Sequence, residues 1–394
     1  MRKAIEMRKD LKTPYYLFDE DELTGRVRNI QEALSECNSE LCFAIKANPF
    51  LIPLMDHVIS KYEVCSPGEL EICRKYGVAG KKIVFSGVVK SLENMVAALN
   101  YPVGVITIES ARHWQLLQEG IKITGRRAKV LLRLTSGAQF GMEEEDIRKI
   151  LREMEKTPEI TLTGIHFFAG TQRKGKKYEK ELPLLAELME SLSREFELED
   201  QVLEYGPGLS VPYFTGDDFD APLQSIRELA SYIKNQNYPF RTVIEMGRYI
   251  AACCGYYVTK IVDMKKAQTR NYCLVDGGIH HVNYYGQNMA MRTPVIHHIT
   301  DNKMHDGKEE EYMICGALCT FADILVRGLT LRDPQIGDRL VFQNIGAYSV
   351  TEGSYLFLSR DLPAVYAYGK EKGLSVLRER EETWEINSGL RSKT

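Results

Sequence analysis

The chain has 394 residues and a net charge of −3, and it is 44% hydrophobic and 27% charged. This balance favours neither nucleic acid nor an acidic membrane surface as a partner. No apolar run reaches the roughly 20 residues of a membrane helix, and the N-terminus lacks the apolar core of a signal peptide. We therefore expect a cytoplasmic globular protein of two or three domains.

The cysteines and histidines do not predict a metal site. Nine cysteines occur, an odd number, and none forms a C-x-x-C pair. This pattern is typical of reduced thiols in the cytoplasm. The pairs His280–His281 and His297–His298 are poor chelates if they lie in strands, because strand neighbours point to opposite faces.

The first two-thirds of the chain alternates between strand-like and helix-like segments. Helical spacing of apolar residues is found at 26–36, 68–77, 91–100, 144–156 and 182–196. Cap signals precede two of these segments, at Ser66 and Ser91. Apolar runs of strand length lie at residues 42–47, 62–66, 82–87, 103–110, 129–135, 162–170, 202–208 and 242–248.

Eight strands that alternate with helices predict a parallel (β/α)8 TIM barrel, which we place at residues 20–250. In such barrels the chemistry lies at the carboxyl ends of the strands. Polar residues and glycines gather at those ends here: Lys46, Glu63, Ser66, Ser86, His166, Gly206 to Gly208, Glu245 and Arg248.

After about residue 250 the pattern changes to short β-rich runs separated by turns. These runs predict an antiparallel β domain, resembling a Greek-key barrel, over residues 251–394. The strand-like segment 13–23 precedes the barrel, so we assign residues 1–19 to the same domain. The charged tail from about residue 380 to 394 is expected to be loosely ordered.

Lys46, at the end of an apolar run, has two interpretations. A lysine at a strand end is usually solvated, with its apolar stem along the surface. A lysine in a desolvated pocket instead loses its proton easily and can form a Schiff base with a carbonyl cofactor. The clustering of polar residues at the same ends of the strands favours the second interpretation.

Seven motifs, in order, resemble those of the barrel-type pyridoxal-phosphate (PLP) decarboxylases, the group that contains diaminopimelate and ornithine decarboxylases. The resemblance spans nearly the whole chain. Each motif alone is weak, but the shared order is specific. The motifs are FAIKANP (43–49), YEVCSPGELE (62–71), GIHFFAGTQ (164–172), GPGLSVPY (206–213), EMGRYI (245–250), ICGALCTFAD (314–323) and GAYSV (346–350).

The resemblance implies a role for each matching residue. Lys46 would hold the cofactor aldehyde, and His166 would stack on the pyridine ring, although a structural core histidine is the alternative. Glycines and an arginine suit phosphate, through backbone N–H groups and a bidentate charge. The cofactor-binding set is then Lys46, Glu63, Ser66, His166, Gly206, Gly208, Glu245, Gly247, Arg248 and Tyr348.

Glu245 bears on the type of reaction. A carboxylate beside the pyridine nitrogen keeps it protonated, and a protonated ring is the stronger electron sink. The similar barrel-type alanine racemases carry an arginine there, so Glu245 favours decarboxylation. Cys319 matches a cysteine that in the family reaches the neighbouring subunit's site and helps to place the product proton. This match implies a homodimer with shared sites, whereas a small buried hydrophobe is the alternative.

Three departures from the family motifs concern the substrate and the cofactor phosphate. Family members that act on diamino acids carry an acid after the cysteine, where this chain has Thr320, so a distal ammonium would bind poorly. The R-P-x-x-Y segment is missing, which leaves Arg292 as a candidate ligand for a substrate carboxylate. Asp323 is a further candidate substrate residue. Pro207 removes one N–H donor from the phosphate loop. A milder change is Glu63, which stands in place of the family's aspartate and is longer by one methylene.

We therefore predict a PLP-dependent amino-acid decarboxylase whose substrate lacks a distal ammonium. The run FLSRDLP (357–363) resembles a branch that includes enzymes for carrier-protein-bound aminoacyl groups, so a carrier-bound substrate is included. The alternatives are an ordinary diaminopimelate or basic-amino-acid decarboxylase using another acid such as Glu352, a racemase, and an inactive regulatory homologue. The presence of Lys46, His166 and Glu245 disfavours the last.

Overall fold

The computed structural model describes residues 5–6, 8, 10–287, 290–300 and 307–389. They form two compact units. One comprises Thr24–Val211 and Ala221–Ile250, and the other comprises Met1–Leu23, Pro212–Asp220 and Ala251–Thr394. Across the described ranges, no helix combines the length and apolarity needed to cross a membrane. The first strand, β1 (Tyr15–Asp19), belongs to the second unit.

Eight parallel strands of the first unit close into a barrel in sequence order. This confirms the predicted (β/α)8 fold. Each strand ends before its apolar run does, so the polar residues that end several of the runs lie just beyond the strands. The strands are β2 (Ser39–Ala44), β3 (Lys61–Val64), β4 (Ile83–Phe85), β5 (Val105–Ile108), β6 (Ala128–Arg133), β7 (Ile160–Phe168), β8 (Val202–Gly206) and β9 (Arg241–Met246).

Helices follow the strands, and local signals explain several of their starts. Ser66 and Ser91 accept hydrogen bonds from the backbone N–H groups of Glu69 and Asn94, as the cap signals predicted. The helices are α1 (Glu20–Ser35), α2 (Ile52–Met55), α3 (Pro67–Lys75), α4 (Leu92–Asn100), α5 (Ala111–Thr124), α6 (Glu144–Met154), α7 (Tyr178–Phe196), α8 (Gln224–Gln236) and α9 (Arg248–Ala251). The sequence prediction had not singled out α5 and α8.

The barrel interior is an apolar plug covered by a polar layer. The plug is one buried cluster from six strands: Cys42, Val84, Val105, Leu131, Val202 and Val243. Side chains two residues apart on a strand share a face, so the next interior level lies nearer the carboxyl ends. On five of those strands that level is polar, and it consists of Ser86, Thr107, Arg133, Glu204 and Glu245.

The second unit contains a nine-stranded sheet of mostly antiparallel pairs. Two pairings, β1 with β16 and β11 with β13, are parallel, which differs from the purely antiparallel prediction. The remaining strands are β10 (Gly255–Ala267), β11 (Arg270–Val275), β12 (Ile296–Ile299), β13 (Glu309–Cys315), β14 (Ile324–Arg332), β15 (Arg339–Gln343), β16 (Ala364–Gly369) and β17 (Gly373–Arg378).

The N-terminal strand β1 lies inside this sheet. Tyr16 is paired with Tyr257 on the antiparallel side and with Val365 on the parallel side. Its side chain is fully buried, and its hydroxyl donates to the carbonyl oxygen of His281 at 2.6 Å. The prediction that the N-terminal segment pairs with the β domain is confirmed for residues 15–19.

The C-terminal tail contacts the same unit as far as it is described. Leu362 and Glu381 form a two-residue β-bridge, and Arg380 pairs with Asp361 at 2.9 Å. A short helix, α10 (Trp384–Ser388), follows the buried Thr383. Residues 390–394 of the predicted flexible tail lie outside the described residues.

The pair His280–His281 is not in a strand, so the strand argument against a chelate does not apply to it. It lies in a turn, which directs both imidazoles to one side, and their ring centroids are 3.7 Å apart. Both residues are 2% exposed, and neither ring nitrogen of His280 finds a hydrogen-bond partner among the described atoms. Burial lowers the pKa of His280 to about 4 and that of His281 well below its ordinary value. His297 and His298 do lie in a strand, β12.

These buried imidazoles predict a loss of stability in mild acid. The unfolded His280 takes up a proton near pH 6.5, but the folded residue does so only near pH 4. The unfolded state therefore binds more protons between these values, and unfolding becomes easier as the pH falls through that interval. Denaturant midpoints measured from pH 7 to pH 4 should fall less steeply for His280→Leu than for the parent chain. The exposed His57→Gln serves as the control, and identical slopes for H280L and the parent would contradict the prediction.

Candidate active site

Lys46 lies just beyond the end of β2. The sequence placed it inside a strand, but β2 ends at Ala44 and residues Ile45–Ala47 form one 3-10 turn. Asn48 ends this turn, and its side chain caps the next turn by accepting from the N–H of Phe50. The Lys46 side chain is 34% exposed. It is therefore anchored in the barrel and accessible from one side.

Two carboxylates share the Lys46 ammonium. Its Nζ donates to Glu63 Oε2 at 2.8 Å and lies 3.5 Å from Glu245 Oε1. Burial lowers the pKa of Lys46, but Glu63, Cys65 and Glu245 outweigh it and raise that pKa well above its ordinary value. The opposite charges of these carboxylates stabilise the ammonium form of Lys46.

The segment after β3 surrounds this ion pair. The thiol of Cys65 donates to Glu63 Oε1 at 3.1 Å, and its Sγ lies 3.6 Å from Lys46 Nζ. The backbone N–H of Cys65 donates to Glu69 Oε2 at 2.6 Å. Ser66, a predicted cofactor ligand, uses its hydroxyl oxygen as the N-cap of α3. Burial, and then Glu63, raise the pKa of the Cys65 thiol well above its ordinary value, which disfavours the thiolate form.

His166 of β7 and Glu245 of β9 form a buried pair inside the barrel, and β8 lies between their strands. His166 Nε2 and Glu245 Oε2 are 3.0 Å apart, and both side chains are 2% exposed. Burial raises the pKa of Glu245, but Lys46 and the hydrogen bond with His166 outweigh it and hold that pKa below its ordinary range. Glu245 is therefore a carboxylate at neutral pH. His166 Nδ1 is buried without a hydrogen-bond partner in the described part of the chain.

The glycine loop after β8 packs too closely for side chains. A Cβ on Gly206 would overlap the ring of Phe168, and one on Gly208 would overlap the carbonyl oxygen of Gly170. Gly208 also has a φ of +64°, which favours glycine. Pro207 lies between them, and its carbonyl oxygen accepts from Arg173 Nη1 at 3.3 Å. The loop is therefore a rigid backbone surface at the carboxyl end of β8.

Arg248 follows β9 and opens the short helix α9. It is 8% exposed, and its Nε lies 3.4 Å from Thr171 Oγ1. A Cβ on Gly247 would come within 2.9 Å of Ala47 Cβ, so this glycine lets the chain after β9 pass the Lys46 turn. The barrel unit thus brings Lys46 close to Glu63 and Glu245, and Glu245 close to His166. Arg248 lies near the glycine loop, because it approaches Thr171 and the neighbouring Gly170 packs against Gly208.

Sequence reasoning missed several buried titratable residues in the barrel unit, among them Glu204 and Lys90. Glu204 of β8 is 1% exposed, and its carboxylate, with His166 and Glu245, forms a group whose possible metal-ligating atoms all lie within 4.8 Å of one another. The signal was an acid inside the apolar run VLEYG. No metal was predicted, and Lys46 already supplies a cation beside Glu245.

Burial lowers the pKa of Lys90 to about 8, and its Nζ donates to the Gly87 carbonyl oxygen.

The remaining predicted site residues lie in the β unit. Cys319 and Thr320 are exposed in the loop after β13, so the alternative of Cys319 as a buried hydrophobe is wrong. Asp323 is instead 2% exposed, and its carboxylate accepts from the N–H groups of Ile279 at 2.8 Å and Leu318 at 2.6 Å. It therefore fixes the loop that carries Cys319 and Thr320.

Arg292 and Tyr348 are also held within that unit. Arg292 pairs with Asp217 at 2.8 Å and lies over the Phe214 ring at 3.9 Å from its centroid. Tyr348 is half-buried with a φ of +69°, an uncommon backbone conformation for a tyrosine. Such strain is frequent at ligand sites.

Comparison with known proteins identifies the family. Residues 20–252 match the family model described as "Pyridoxal-dependent decarboxylase, pyridoxal binding domain". The chain belongs to this family of decarboxylases. The enzyme is 25% identical to diaminopimelate decarboxylase of Aquifex aeolicus, over 89% of this chain and 85% of the relative. It is also 25% identical to L-glutamyl-[BtrI acyl-carrier protein] decarboxylase of Niallia circulans, over 90% and 88%.

Solved structures share the fold of this decarboxylase. Diaminopimelate decarboxylase from Helicobacter pylori, complexed with L-lysine, has a TM-score of 0.85 and 24% identity, covering 98% of this chain and all of that one. The decarboxylase therefore uses PLP as its cofactor, as the resemblance of its motifs predicted.

The residues of the barrel fit PLP. An amine, a buried carboxylate and an orphaned imidazole nitrogen are present at Lys46, Glu245 and His166. The glycine loop offers close backbone approach, which suits a phosphate group. Each chemical part of the cofactor thus has a matching group in the decarboxylase.

The glycine loop provides a test of cofactor binding. In Gly208→Ala the new Cβ would overlap the carbonyl oxygen of Gly170, at a residue whose φ is positive. We expect at least a tenfold loss of PLP affinity, which corresponds to about 1.4 kcal/mol of binding free energy. Gly125→Ala is the matched control, because its φ is +65° and nothing lies within 4 Å of the added Cβ. It should lose about 1 kcal/mol of stability but keep its PLP affinity, measured by fluorescence titration. Equal affinities for G208A and the parent would contradict a role of this loop.

Proposed function

We propose that this enzyme decarboxylates an α-amino acid, free or bound to a carrier protein, that lacks a distal ammonium. The family establishes PLP-dependent decarboxylation of amino-acid substrates. The substrate class rests on one observation: Thr320, a neutral and exposed residue, stands where the diamino-acid enzymes of the family carry an acid. A neutral hydroxyl does not compensate the desolvation of an ammonium.

In the proposed mechanism the Lys46 amine would hold the cofactor aldehyde and release it to the substrate amine. When bound, PLP would supply an electron sink for the electrons left as carbon dioxide departs. The carboxylate of Glu245, beside Lys46 and His166, would keep a proton on the ring nitrogen. His166 would pack against the ring, and Gly206, Gly208 and Arg248 would bind the phosphate.

The buried Glu245 carboxylate also supports decarboxylation over racemisation. A carboxylate next to the ring nitrogen favours its protonated form, which withdraws electrons more strongly. An arginine, as in the barrel-type racemases, would leave the ring neutral.

The carrier-bound relative supports a substrate without a distal ammonium. The N. circulans enzyme acts on an L-glutamyl group attached to an acyl-carrier protein, and this chain matches nearly all of it. The equally similar diaminopimelate decarboxylases support a second candidate, a diamino-acid decarboxylase. In that case Glu352, which is exposed and accepts from Asn283 Nδ2, would replace the missing acid.

We further propose a homodimer in which Cys319 completes the site of a second copy of the chain. The exposure of Cys319 supports this role, because a side chain that reaches a second subunit must lie at the surface of its own chain. Mixed dimers provide the test. If Lys46→Ala and Cys319→Ala chains are combined in equal amounts, half of the dimers contain one chain of each kind. Each mixed dimer has one site with both residues intact and one site with neither. About one quarter of the parent activity should therefore return. No recovery would contradict sharing.

Covalent trapping tests Lys46. Borohydride reduction of the PLP-loaded enzyme, followed by peptide mapping, should place the label on Lys46, and K46A should take up none. Lys90 is the matched competitor, because its pKa of about 8 makes its amine the easier one to deprotonate. Label on Lys90, or an absorption spectrum without a PLP band after PLP is added, would contradict the assignment and favour a regulatory homologue.

Substrate screening tests Thr320. We expect carbon dioxide release from a glutamyl or other non-basic aminoacyl substrate, with at least tenfold lower kcat/KM for lysine, ornithine and diaminopimelate. Thr320→Asp should raise kcat/KM for the diamino acids, because it restores an acid for the ammonium. Thr320→Asn is the uncharged control. Efficient turnover of any diamino acid by the parent enzyme would contradict the proposal.

A further inference from the structure

A lysine-rich segment that the proposed mechanism does not use follows β7 at the carboxyl end of the barrel. Residues 173–180, here called the basic segment, read RKGKKYEK and contain five basic residues and one acid. The net charge of the whole chain is −3, so this positive segment is a local feature. Loops that follow the strands of a TIM barrel surround its active site. The basic segment therefore lies on the side from which a substrate enters.

The start of the basic segment is fixed to the glycine loop. The N–H of Arg173 donates to the carbonyl oxygen of Gly208 at 2.8 Å, and its guanidinium donates to that of Pro207 at 3.3 Å. The side chain of Gln172 makes two hydrogen bonds with the backbone of Val211, at 2.7 and 3.1 Å. The segment is therefore held beside the backbone that is proposed to bind the cofactor phosphate.

Neighbouring acids neutralise only part of the positive charge. Arg173 donates to Glu181 at 3.0 Å, and Lys176 lies 3.5 Å from Glu228. One further acid of the segment, Glu179, is exposed. Three lysines are also exposed and form no ion pair with any described residue: Lys174, Lys177 and Lys180. The basic segment therefore presents an excess of positive charge to solvent.

This positive surface is narrow, because the start of the neighbouring helix α6 is acidic. Glu143 and Glu145 are exposed there, and neither forms an ion pair within the described ranges. A partner that is attracted to the lysines must contact the basic segment and avoid these glutamates, because like charges that face each other are costly. This requirement favours a folded partner with a small acidic surface over an extended polyanion such as a nucleic acid.

We propose that the basic segment docks the acidic surface of an acyl-carrier protein that delivers the aminoacyl substrate. The proposal rests on the proposed function, in which the substrate can be bound to a carrier protein. Acids of the carrier pair with Lys174, Lys177 and Lys180. The carrier holds its aminoacyl group as a thioester on a flexible arm, and docking beside the glycine loop places that arm at the opening of the barrel.

Exposed charges of this kind act mainly on the rate of encounter between two proteins, and their effect decreases as salt is added. At low salt, kcat/KM for a carrier-bound substrate should therefore depend on these lysines. Turnover of the same aminoacyl group without the carrier should not depend on them, because a small thioester has no acidic surface to dock.

Kinetics with and without the carrier test the proposal. The probes are the L-glutamyl thioester of the N. circulans acyl-carrier protein BtrI and the L-glutamyl thioester of pantetheine. At low salt, Lys174→Glu/Lys177→Glu should lower kcat/KM for the carrier-bound probe by about tenfold or more, and salt should reduce this difference. The same double variant should leave kcat/KM for the pantetheine thioester unchanged.

Lys122→Glu/Lys156→Glu is the matched control. Both lysines are exposed, and they lie at or just after the carboxyl ends of α5 and α6, at the opposite end of the barrel. The control changes the net charge of the chain by the same amount and should keep the parent kcat/KM for both probes. Circular dichroism and the absorption spectrum of bound PLP check that each variant is folded and loaded.

Three results would overturn the docking proposal while the decarboxylase function stands. They are equal effects of the two double variants on the carrier-bound probe, an equal loss for both probes, and a parent enzyme that gains nothing from the carrier. If the parent releases carbon dioxide from free amino acids but from neither thioester, carrier delivery fails and docking fails with it. If it releases none from any of these substrates, the proposed function itself fails.

Discussion

Closure of eight parallel strands is the constraint on which the barrel unit depends. In a closed barrel all interior side chains at one level face each other, and the strand pleat repeats every two residues. Valines and small residues fill one level, and acids, an arginine and hydroxyl groups fill the next. Glu204 and Glu245 are buried together because they occupy neighbouring strands at this polar level. The apolar level separates them from the opposite end of the barrel.

The single ammonium of Lys46 then organises the charge in this layer. It neutralises Glu63 and Glu245 at 2.8 and 3.5 Å, and the thiol of Cys65 orients the first of these carboxylates. Burial raises the pKa of both glutamates, but Lys46 and His166 outweigh it at Glu245, whereas the pKa of Glu204 stays well above its ordinary value. Environment, and not residue type, therefore separates the two pKa values. The same division is a common sign of a functional site.

In the β unit a buried carboxylate fixes an exposed loop. Asp323 accepts two backbone N–H groups, one from the turn after β11 and one from the loop that carries Cys319 and Thr320. This anchoring leaves the side chains of Cys319 and Thr320 directed to solvent, where a substrate or a second subunit can reach them. Of these three predicted site residues, Asp323 is therefore a buried structural residue, whereas Cys319 and Thr320 lie at the surface of the chain.

The sequence by itself determined the barrel, the strands that carry Glu63, His166 and Glu245, the position of Lys46 near the end of a strand, and the family motifs, because local periodicity and short motifs encode them. It also predicted the pairing of the N-terminal strand with the β unit. Only the tertiary structure decided that Lys46 pairs with two carboxylates, that Glu204 and Asp323 are buried and that the rings of His280 and His281 lie 3.7 Å apart. The physical reason is that each of these properties depends on charges and contacts between segments far apart in the chain, and no local pattern records such distances.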